Sequence, residues 1–181
     1  MNLWHDVPLG DNAPETFNCI VEIPKWSHNK YEIDKDTGLI ALDRVNYNAA
    51  PYPFDYAFAP QTLWEDGDAL DVIILTTHPL QVGILVKVRP LAVMEMMDSG
   101  ESDYKIIAVP VEDKRFDHMN DLEDIPPHTL KEYAHFFQTY KMLKSDDPNK
   151  YKVEVPGYKG REEAIEAVKK SVQLYNDKFT K

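Results

Sequence analysis

The sequence predicts one α+β domain that is mainly β, in which a closed or nearly closed antiparallel barrel is followed by two helices. Two observations predict this fold class. Short apolar or alternating runs separated by turn residues fill the chain between residues 16 and 111, and after Pro126–Pro127 the apolar period becomes helical. The 181 residues match the usual size of one domain with a buried core, so the expected domain spans residues 1–181.

The predicted strands are short and closely spaced. They occupy residues 17–23, 30–33, 39–42, 71–75, 82–88, 91–94 and 104–109. Pro, Gly and Asp-Thr-Gly stretches lie between many of these runs, as in hairpin connections. Because no long helical pattern separates consecutive runs, we expect an antiparallel barrel and not a parallel sheet.

Two helices are expected in the last third of the chain. The first is placed at residues 128–144, where Leu130, Ala134 and Phe137 fall on one helical face. The second is a C-terminal amphipathic helix that follows the acidic turn Glu162–Glu163, because apolar residues recur there at spacings of three and four. Those residues are Ile165, Val168, Val172, Tyr175 and Phe179. We expect their stripe to pack against the barrel.

The composition argues against several classes of protein. The chain has 20 Lys and Arg against 31 Asp and Glu, a net charge of -11, so binding to nucleic-acid phosphates is not expected. The start, Met1–Asp6, lacks a leader pattern and the apolar runs are too short for a membrane, so no membrane role is expected. The single cysteine, Cys19, cannot form an intrachain disulfide, which indicates a reducing compartment and a cytoplasmic location.

The most informative stretch is Glu65–Asp71, which places four carboxylates in seven residues. No Lys or Arg occurs from Val45 to Val86, so the local sequence offers no neutralising partner. Two like charges 4 Å apart repel by about 4 kcal/mol in a partly buried site, and a divalent cation would turn that repulsion into attraction. Oxygen ligands suit Mg²⁺, with Mn²⁺ as a possible substitute. Gly67 permits the tight turn that such a site needs. The alternative is a solvated acidic turn.

A second acidic segment, Asp98–Asp103, favours the interpretation as a metal site. In the strand that follows, Asp103 and Lys105 lie on one face, because side chains alternate along a strand. By the same rule Lys30 and Glu32 share a face, although ordinary solvent exposure would also explain that pair. The sequence therefore places cations and carboxylates side by side, as a site for a metal-bound phosphate requires.

Other motifs do not point to a function. Asp34–Gly38 begins like a calcium loop but lacks its later ligands, so it is interpreted as a hairpin turn. Gly157–Gly160 matches the GXXG loop of KH domains by letter only, and we interpret it as a turn before the last helix. The six histidines lack the spacing of a zinc site, and none is predicted to be catalytic.

Taken together, these residues resemble the soluble inorganic pyrophosphatases with a single-domain, OB-like barrel. Asp66–Val72 resembles the family signature D-x-D-P-x-D-V. Further matches occur in order along nearly the whole chain, at Glu22–Pro24, Asn29–Glu32, Asp43–Arg44, Tyr52–Tyr56, Asp98, Asp103–Lys105 and His135–Lys141. The resemblance implies a five-stranded OB-like closed barrel flanked by helices.

The resemblance also implies an activity, the hydrolysis of inorganic pyrophosphate to two phosphates by a Mg²⁺-dependent homo-oligomer. Asp68 would accept the proton of the attacking water. The implied ligands of the several metal ions are Asp66, Asp71, Asp103, Asp98 and Glu32. The implied substrate contacts are Lys30, Arg44, Tyr56, Lys105, Tyr140 and Lys141, and the implied cavity-lining residues are Glu22 and Tyr52.

Three departures from the family pattern are visible. Ala69 stands in place of Pro, Ala57 in place of Gly, and Trp26 and His28 in place of residues that are often small or basic. No ligand is missing, so we expect a changed KM or metal affinity and not a loss of activity. Two other functions stay open at this point. One is a non-catalytic, ion-dependent binding module, and the other is a hydrolase of nucleotide or organic diphosphates that would use Trp26 or Trp64 for stacking.

Overall fold

The computed structural model describes residues 1–147 and 150–180, so the last position of the predicted domain lies outside the described residues. The fold is mainly β with two α-helices, as predicted. The strands are β1 Phe17–Ile23, β2 Asn29–Ile33, β3 Ile40–Val45, β4 Asp55–Phe58, β5 Asp71–Ile74, β6 Leu85–Asp98, β7 Glu101–Ser102, β8 Lys105–Pro110 and β9 Val153–Lys159. The α-helices are α1 Pro127–Thr139 and α2 Arg161–Phe179, and the 3₁₀ helices are Lys114–Phe116, Leu122–Asp124 and Met142–Lys144.

Seven strands form the main sheet, and β2 and β3 form a separate hairpin. The path of pairing runs β1-β4-β5-β8-β6-β7, with β9 also on β6, and β1 pairs with β6 as well as with β4. The expectation of purely antiparallel pairing is wrong, because β5 and β8 are parallel. The chain leaves β5, runs through β6 and β7, and returns as β8 between β5 and β6. Because of this return, β8 runs parallel to β5.

The two runs predicted at 82–88 and 91–94 belong to one strand, β6, which passes through Pro90. Proline cannot donate to a strand ladder and is tolerated at irregular positions. The pairing of β6 with β8 shifts between Pro90 and Ala92, and this irregularity accommodates the ring. Strand β6 therefore extends far enough to pair with β1, β8, β7 and β9.

Three strands escaped the sequence analysis, and the shortest of them is the two-residue β7. β4 is four residues long, lies between Pro53 and Pro60, and is wholly buried, so it shows no alternation. β9 includes Gly157, and the interpretation of Gly157–Gly160 as a turn is wrong for its first three residues. Those residues pair with residues 93–95 of β6, where Gly157 lies opposite Glu95. Only Gly160 is outside the strand, as the N-cap of α2.

The helices differ from their predicted limits and faces. α1 ends at Thr139 and not at residue 144, because the chain turns at Tyr140 and continues as a 3₁₀ helix. In α2 the buried face includes Ala164, Ala167 and Ser171, while Phe179 is 42% exposed. Small side chains allow a helix to lie close to a sheet, and α2 packs mainly on β6. The buried face of α2 is therefore shifted from the predicted apolar stripe toward Ala164, Ala167 and Ser171.

Two large apolar clusters position the elements that carry the polar residues described below. One joins α1 to aromatic residues such as Tyr52 and Phe54, and the other joins α2 to β1, β5 and β8. The predicted hairpin turn at Asp34–Gly38 is confirmed between β2 and β3, with Gly38 at φ +71°. No helix within the described residues is long and apolar enough to cross a membrane.

The buried carboxylate of Asp55 tests how the start of β4 is held. Asp55 is fully buried and accepts hydrogen bonds from the backbone N–H groups of Lys25 and Leu80, both at 2.9 Å, and from the Thr76 hydroxyl. Asp55→Ala would leave these donors without a partner, so we expect the free energy of unfolding to fall by about 2–4 kcal/mol in urea titrations. The exposed control Asp11→Ala should change it by less than about 0.5 kcal/mol. If the two substitutions lowered the free energy of unfolding equally, the Asp55 carboxylate would not be what holds the start of β4.

Candidate active site

One cavity of about 520 Å³ gathers side chains from distant parts of the chain. It lies where the β2–β3 hairpin, the loop before β5, the β6–β7 turn and the end of α1 meet. All but one of the predicted site residues line it. They are Glu22, Lys30, Glu32, Arg44, Tyr56, Asp66, Asp68, Asp71, Asp98, Asp103, Lys105, Tyr140 and Lys141.

Tyr52 is the exception, and the prediction that it lines the cavity is wrong. Its side chain is 1% exposed and packs against the rings of Phe136, at 4.8 Å between centroids, and Tyr56, at 6.1 Å. The backbone of Tyr52 is bonded to the turn before β2, since its N–H donates to the Ser27 carbonyl at 2.9 Å. Tyr52 therefore supports Tyr56 from below the cavity.

The acidic loop before β5 folds tightly around Gly67. Gly67 has φ +90°, a conformation that favours glycine, and its N–H donates to the Trp64 carbonyl at 3.0 Å. The N–H of Asp68 donates to the Asp66 carboxylate at 3.0 Å, and the carbonyl of Asp68 accepts from the Trp64 N–H at 2.7 Å. Leu70 is fully buried beside this turn. The loop therefore presents its aspartates to the cavity on a fixed backbone.

Asp66, Asp71 and Asp103 form one side of the cavity, the acidic wall, and Lys105 pairs with two of them. In the parallel pair of β5 and β8, Lys105 lies opposite Asp71, and its ammonium group is 2.6 Å from the Asp71 carboxylate and also contacts Asp103. Burial alone would lower the pKa of Lys105, but the two carboxylates raise it above its ordinary value, so Lys105 stays charged. Tyr56 donates to Asp71 at 2.5 Å from the other side.

One ammonium group does not neutralise all the carboxylates of this wall. Burial, with the nearby charges of Asp103 and Asp71, raises the pKa of Asp66 to about 7. Burial also raises the pKa of Asp71, and burial together with the charge of Asp71 raises that of Glu22. These carboxylates lie close together, and a bound cation would relieve their repulsion. No Lys or Arg lies near Asp66 or Asp71 in the sequence, and Lys105, which is distant from them along the chain, supplies only part of the positive charge they need.

The β2–β3 hairpin supplies most of the opposite, basic wall. Its register places Lys30 across from Arg44. The ammonium group of Lys30 pairs with Glu32 and lies 3.2 Å from Asp43, which also pairs with Arg44. The second terminal nitrogen of Arg44, Nη2, is buried and has no hydrogen-bond partner among the described residues. A buried donor without a partner is costly, and an anion in the cavity would satisfy it.

The end of α1 completes the basic wall. Lys141 follows the turn at Tyr140 and pairs with Asp98 in the β6–β7 turn. The Tyr140 ring lies between two cations, 5.9 Å from the Arg44 guanidinium carbon and 5.3 Å from the Lys141 ammonium. Burial raises the pKa of Tyr140, so its hydroxyl remains a neutral donor. Had α1 continued straight to residue 144, this placement would have been lost.

The donor set of the cavity fits a hard divalent cation. Its carboxylates supply only oxygen, which Mg²⁺ and similar ions prefer. Within residues 1–147 and 150–180, however, no three His, Cys, Asp or Glu side chains are already grouped as ion ligands. The lysine pairs explain this, because Lys105 lies between Asp71 and Asp103 and Lys141 lies on Asp98. Ion binding would therefore have to displace ammonium groups from carboxylates.

Several cavity residues were not predicted. They include Lys35, Lys144, Glu101 and Tyr151. Lys35 belongs to the turn that the sequence analysis set aside as a failed calcium loop, and its distance from Asp68 along the chain hides their ion pair. Lys144 and Tyr151 lie on either side of residues 148 and 149, and the Lys144 ammonium lies 4.3 Å from the centre of the Tyr151 ring.

Comparisons with known proteins agree with this geometry. The sequence profile of the family described as Inorganic pyrophosphatase matches residues 19–176. The chain is 46% identical to a soluble inorganic pyrophosphatase of Oryza sativa subsp. indica, over 95% of this chain and 78% of that protein. It is 44% identical to an inorganic pyrophosphatase of Haloferax volcanii, over 99% of both chains. The crystal structure of the inorganic pyrophosphatase from Thermus thermophilus superposes with a TM-score of 0.92, at 43% identity over 97% of this chain and 99% of that one.

Removal of the Lys105 charge tests the description of the acidic wall. Lys105→Met would keep the length of the side chain but leave Asp71 and Asp103, whose side chains are 20% and 13% exposed, without a cation. We expect the free energy of unfolding in EDTA to fall by about 3–5 kcal/mol, as measured in urea. Lys169 forms an exposed pair with Glu166 one helical turn away, so the control Lys169→Met should cost about 0.5 kcal/mol or less. A loss below about 1 kcal/mol for Lys105→Met would show that the carboxylates do not depend on it.

Proposed function

The chain belongs to the inorganic pyrophosphatase family and is an enzyme that hydrolyses inorganic pyrophosphate, and from this premise we propose how its cavity carries out the reaction. We propose a hydrolysis that depends on divalent cations, in which Asp68 accepts a proton from the attacking water. The observation that carries the proposal is the charge arrangement of one cavity. Carboxylates with raised pKa values form one wall, and the opposite wall includes a buried Arg44 donor that has no partner in the described part of the chain.

The acidic wall would hold the cations. Asp66, Asp71 and Asp103 would be the principal ligands, and Asp98 and Glu32 would contribute from the rim. Their oxygen chemistry favours Mg²⁺, with Mn²⁺ as a substitute. When bound, such ions lower the pKa of coordinated water and neutralise charge on phosphoryl oxygens. The raised pKa of Asp66, about 7, supports this assignment because a cation would favour its ionised form.

Asp68 is suited to proton transfer because it differs from the other aspartates of its loop. Its side chain is 55% exposed, so water reaches it, and it lies outside the pairs that Lys105 makes with Asp71 and Asp103. A proton acceptor must lie within hydrogen-bond reach of the water and remain ionised until it acts. The hydrogen bonds of its backbone to Trp64 and Asp66 hold it at the cavity.

The basic wall would bind the substrate. Arg44 offers a planar fork to phosphate oxygens, while Lys30 and Lys141 act as point charges. Tyr56, Tyr140 and Lys105 would add donors at the interior of the cavity. In phosphoryl transfer the protein mainly positions the reactants and neutralises charge, and this residue set does both.

The proposed fold and assembly follow the same family. We infer that β1, β4, β5, β8 and β6 form a five-stranded, OB-like closed barrel, which the pairing of β1 with both β4 and β6 supports. Similarity to the family also supports a homo-oligomer.

The two other candidate functions are less well supported. A binding module would not need a proton acceptor beside the acidic wall. A hydrolase of nucleotides that stacked the base on Trp26 or Trp64 is not favoured, because Trp64 is buried and neither tryptophan lines the cavity. Inorganic pyrophosphate, which has no base or sugar, requires no stacking surface.

Phosphate release tests the proposed reaction. The wild-type protein should release phosphate from pyrophosphate with Mg²⁺, lose this activity in EDTA, and act far more slowly on ATP. Asp68→Asn should lower kcat by about 10²-fold or more, because the amide cannot accept the proton, while Mg²⁺ affinity by calorimetry stays nearly unchanged. Near-normal turnover of Asp68→Asn would remove it from the mechanism, and equal rates on ATP would favour the organic diphosphates.

The role of Arg44 is tested by a second substitution. Arg44→Ala removes the buried donor, so we expect kcat/KM for pyrophosphate to fall about tenfold or more. Lys87 is a cation of β6 outside the cavity, so Lys87→Ala is the matched control and should leave kcat/KM within about twofold of the wild type. An unchanged kcat/KM for Arg44→Ala would show that its guanidinium does not contact the substrate.

A further inference from the structure

We infer that Lys35 is a positioning residue for Asp68, which orients the proton-accepting carboxylate from the turn of the β2–β3 hairpin. This inference rests on the proposed role of Asp68. The Lys35 ammonium group pairs with the Asp68 carboxylate across the cavity, and both residues line it. The contact links two parts of the fold that share no strand pairing, the separate hairpin and the acidic loop before β5.

Lys35 differs from the other lysines that pair within the cavity. Lys30, Lys105 and Lys141 each pair with a carboxylate that we assign to cation binding. Those ammonium groups must move when the cations bind. Lys35 pairs with Asp68 alone among the described residues, so binding of cations to the other carboxylates need not break its contact.

The turn that carries Lys35 is held rigidly. The Asp34 carboxylate accepts from the N–H of Thr37 at 2.7 Å and from its hydroxyl at 2.6 Å, and the N–H of Gly38 donates to the Asp34 carbonyl at 2.7 Å. A Cβ at Gly38 would lie 2.6 Å from the Cα of Asn2, so the start of the chain packs directly on the turn. Lys35 therefore extends from a fixed base.

The Asp68 side chain has few other restraints. The hydrogen bonds within the acidic loop fix the Asp68 backbone, but they leave the carboxylate free to rotate. In the described part of the chain, Lys35 is the cation that pairs with that carboxylate. A catalytic group that rotates away from its partner loses much of its effect, even when the fold is intact. The ion pair thus gives Asp68 a preferred orientation toward the cavity.

The pair is too exposed to matter much for folding. The side chains of Lys35 and Asp68 are 56% and 55% exposed, and ion pairs of this kind contribute little to stability. Its loss should therefore change the chemical step and leave the fold alone. This separation of effects distinguishes a positioning role from a structural one.

The test compares Lys35→Met, which removes the charge, with Lys35→Arg, which keeps it. Single-turnover cleavage of pyrophosphate with Mg²⁺ should slow about three- to fivefold in Lys35→Met, as the loss of an exposed ion pair allows, while the steady-state KM stays within about twofold. Lys35→Arg should recover the rate to within about 1.5-fold of the wild type. The Tm of both variants should match that of the control Lys169→Met, which breaks an exposed pair remote from the cavity.

Four outcomes would overturn the inference. They are an unchanged cleavage rate in Lys35→Met, a raised KM at an unchanged rate, no recovery in Lys35→Arg, and a fall in Tm that parallels the loss of rate. The second outcome would make Lys35 a substrate contact. Failure of the proposed function is separate, since a wild-type protein that released no phosphate, or an active Asp68→Asn variant, would contradict that proposal directly.

Discussion

The structure of the cavity depends on the burial of an ammonium group between two carboxylates. Lys105 is 2% exposed and contacts Asp71, which begins β5, and Asp103, which lies between β7 and β8. Without it, the repulsion among the half-buried aspartates would oppose their close approach, because like charges interact strongly where water is partly excluded. One lysine does not neutralise all the carboxylates of the acidic wall. The negative charge that remains would attract a cation. The stability of the acidic wall and its attraction for a cation would thus come from one arrangement.

The cations of the basic wall are also paired with carboxylates. Lys30 pairs with Glu32 and Lys141 pairs with Asp98, while one Arg44 donor has no partner within residues 1–147 and 150–180. Each of these pairs is a contact that a cation and a phosphate can exchange for better ones. The charged groups of the cavity are therefore in mutual contact, and the register of the β2–β3 hairpin keeps Lys30 across from Arg44.

Much of the site was predictable from sequence because its residue types are distinctive. Four carboxylates without a local cation, and the alternation that aligns Asp103 with Lys105, are features of composition and period. The failures have physical causes. The four-residue β4 has no exposed face to produce alternation, the pairing of β9 depends on the length of β6, and the contact of Lys35 with Asp68 depends on tertiary folding. Tyr52 matches a family motif but lies beneath the cavity.

The parallel pairing of β5 with β8 has a consequence for how the chain finds its native alignment. Asp71 faces Lys105 only in the observed register, and a slip by one residue would turn Lys105 toward the opposite side of the sheet. There it would meet the apolar interior with no counter-charge, at a large energetic penalty. The pairing of Lys105 with Asp71 thus favours one register of β5 and β8 during folding, since a misaligned sheet would leave the lysine without a counter-charge.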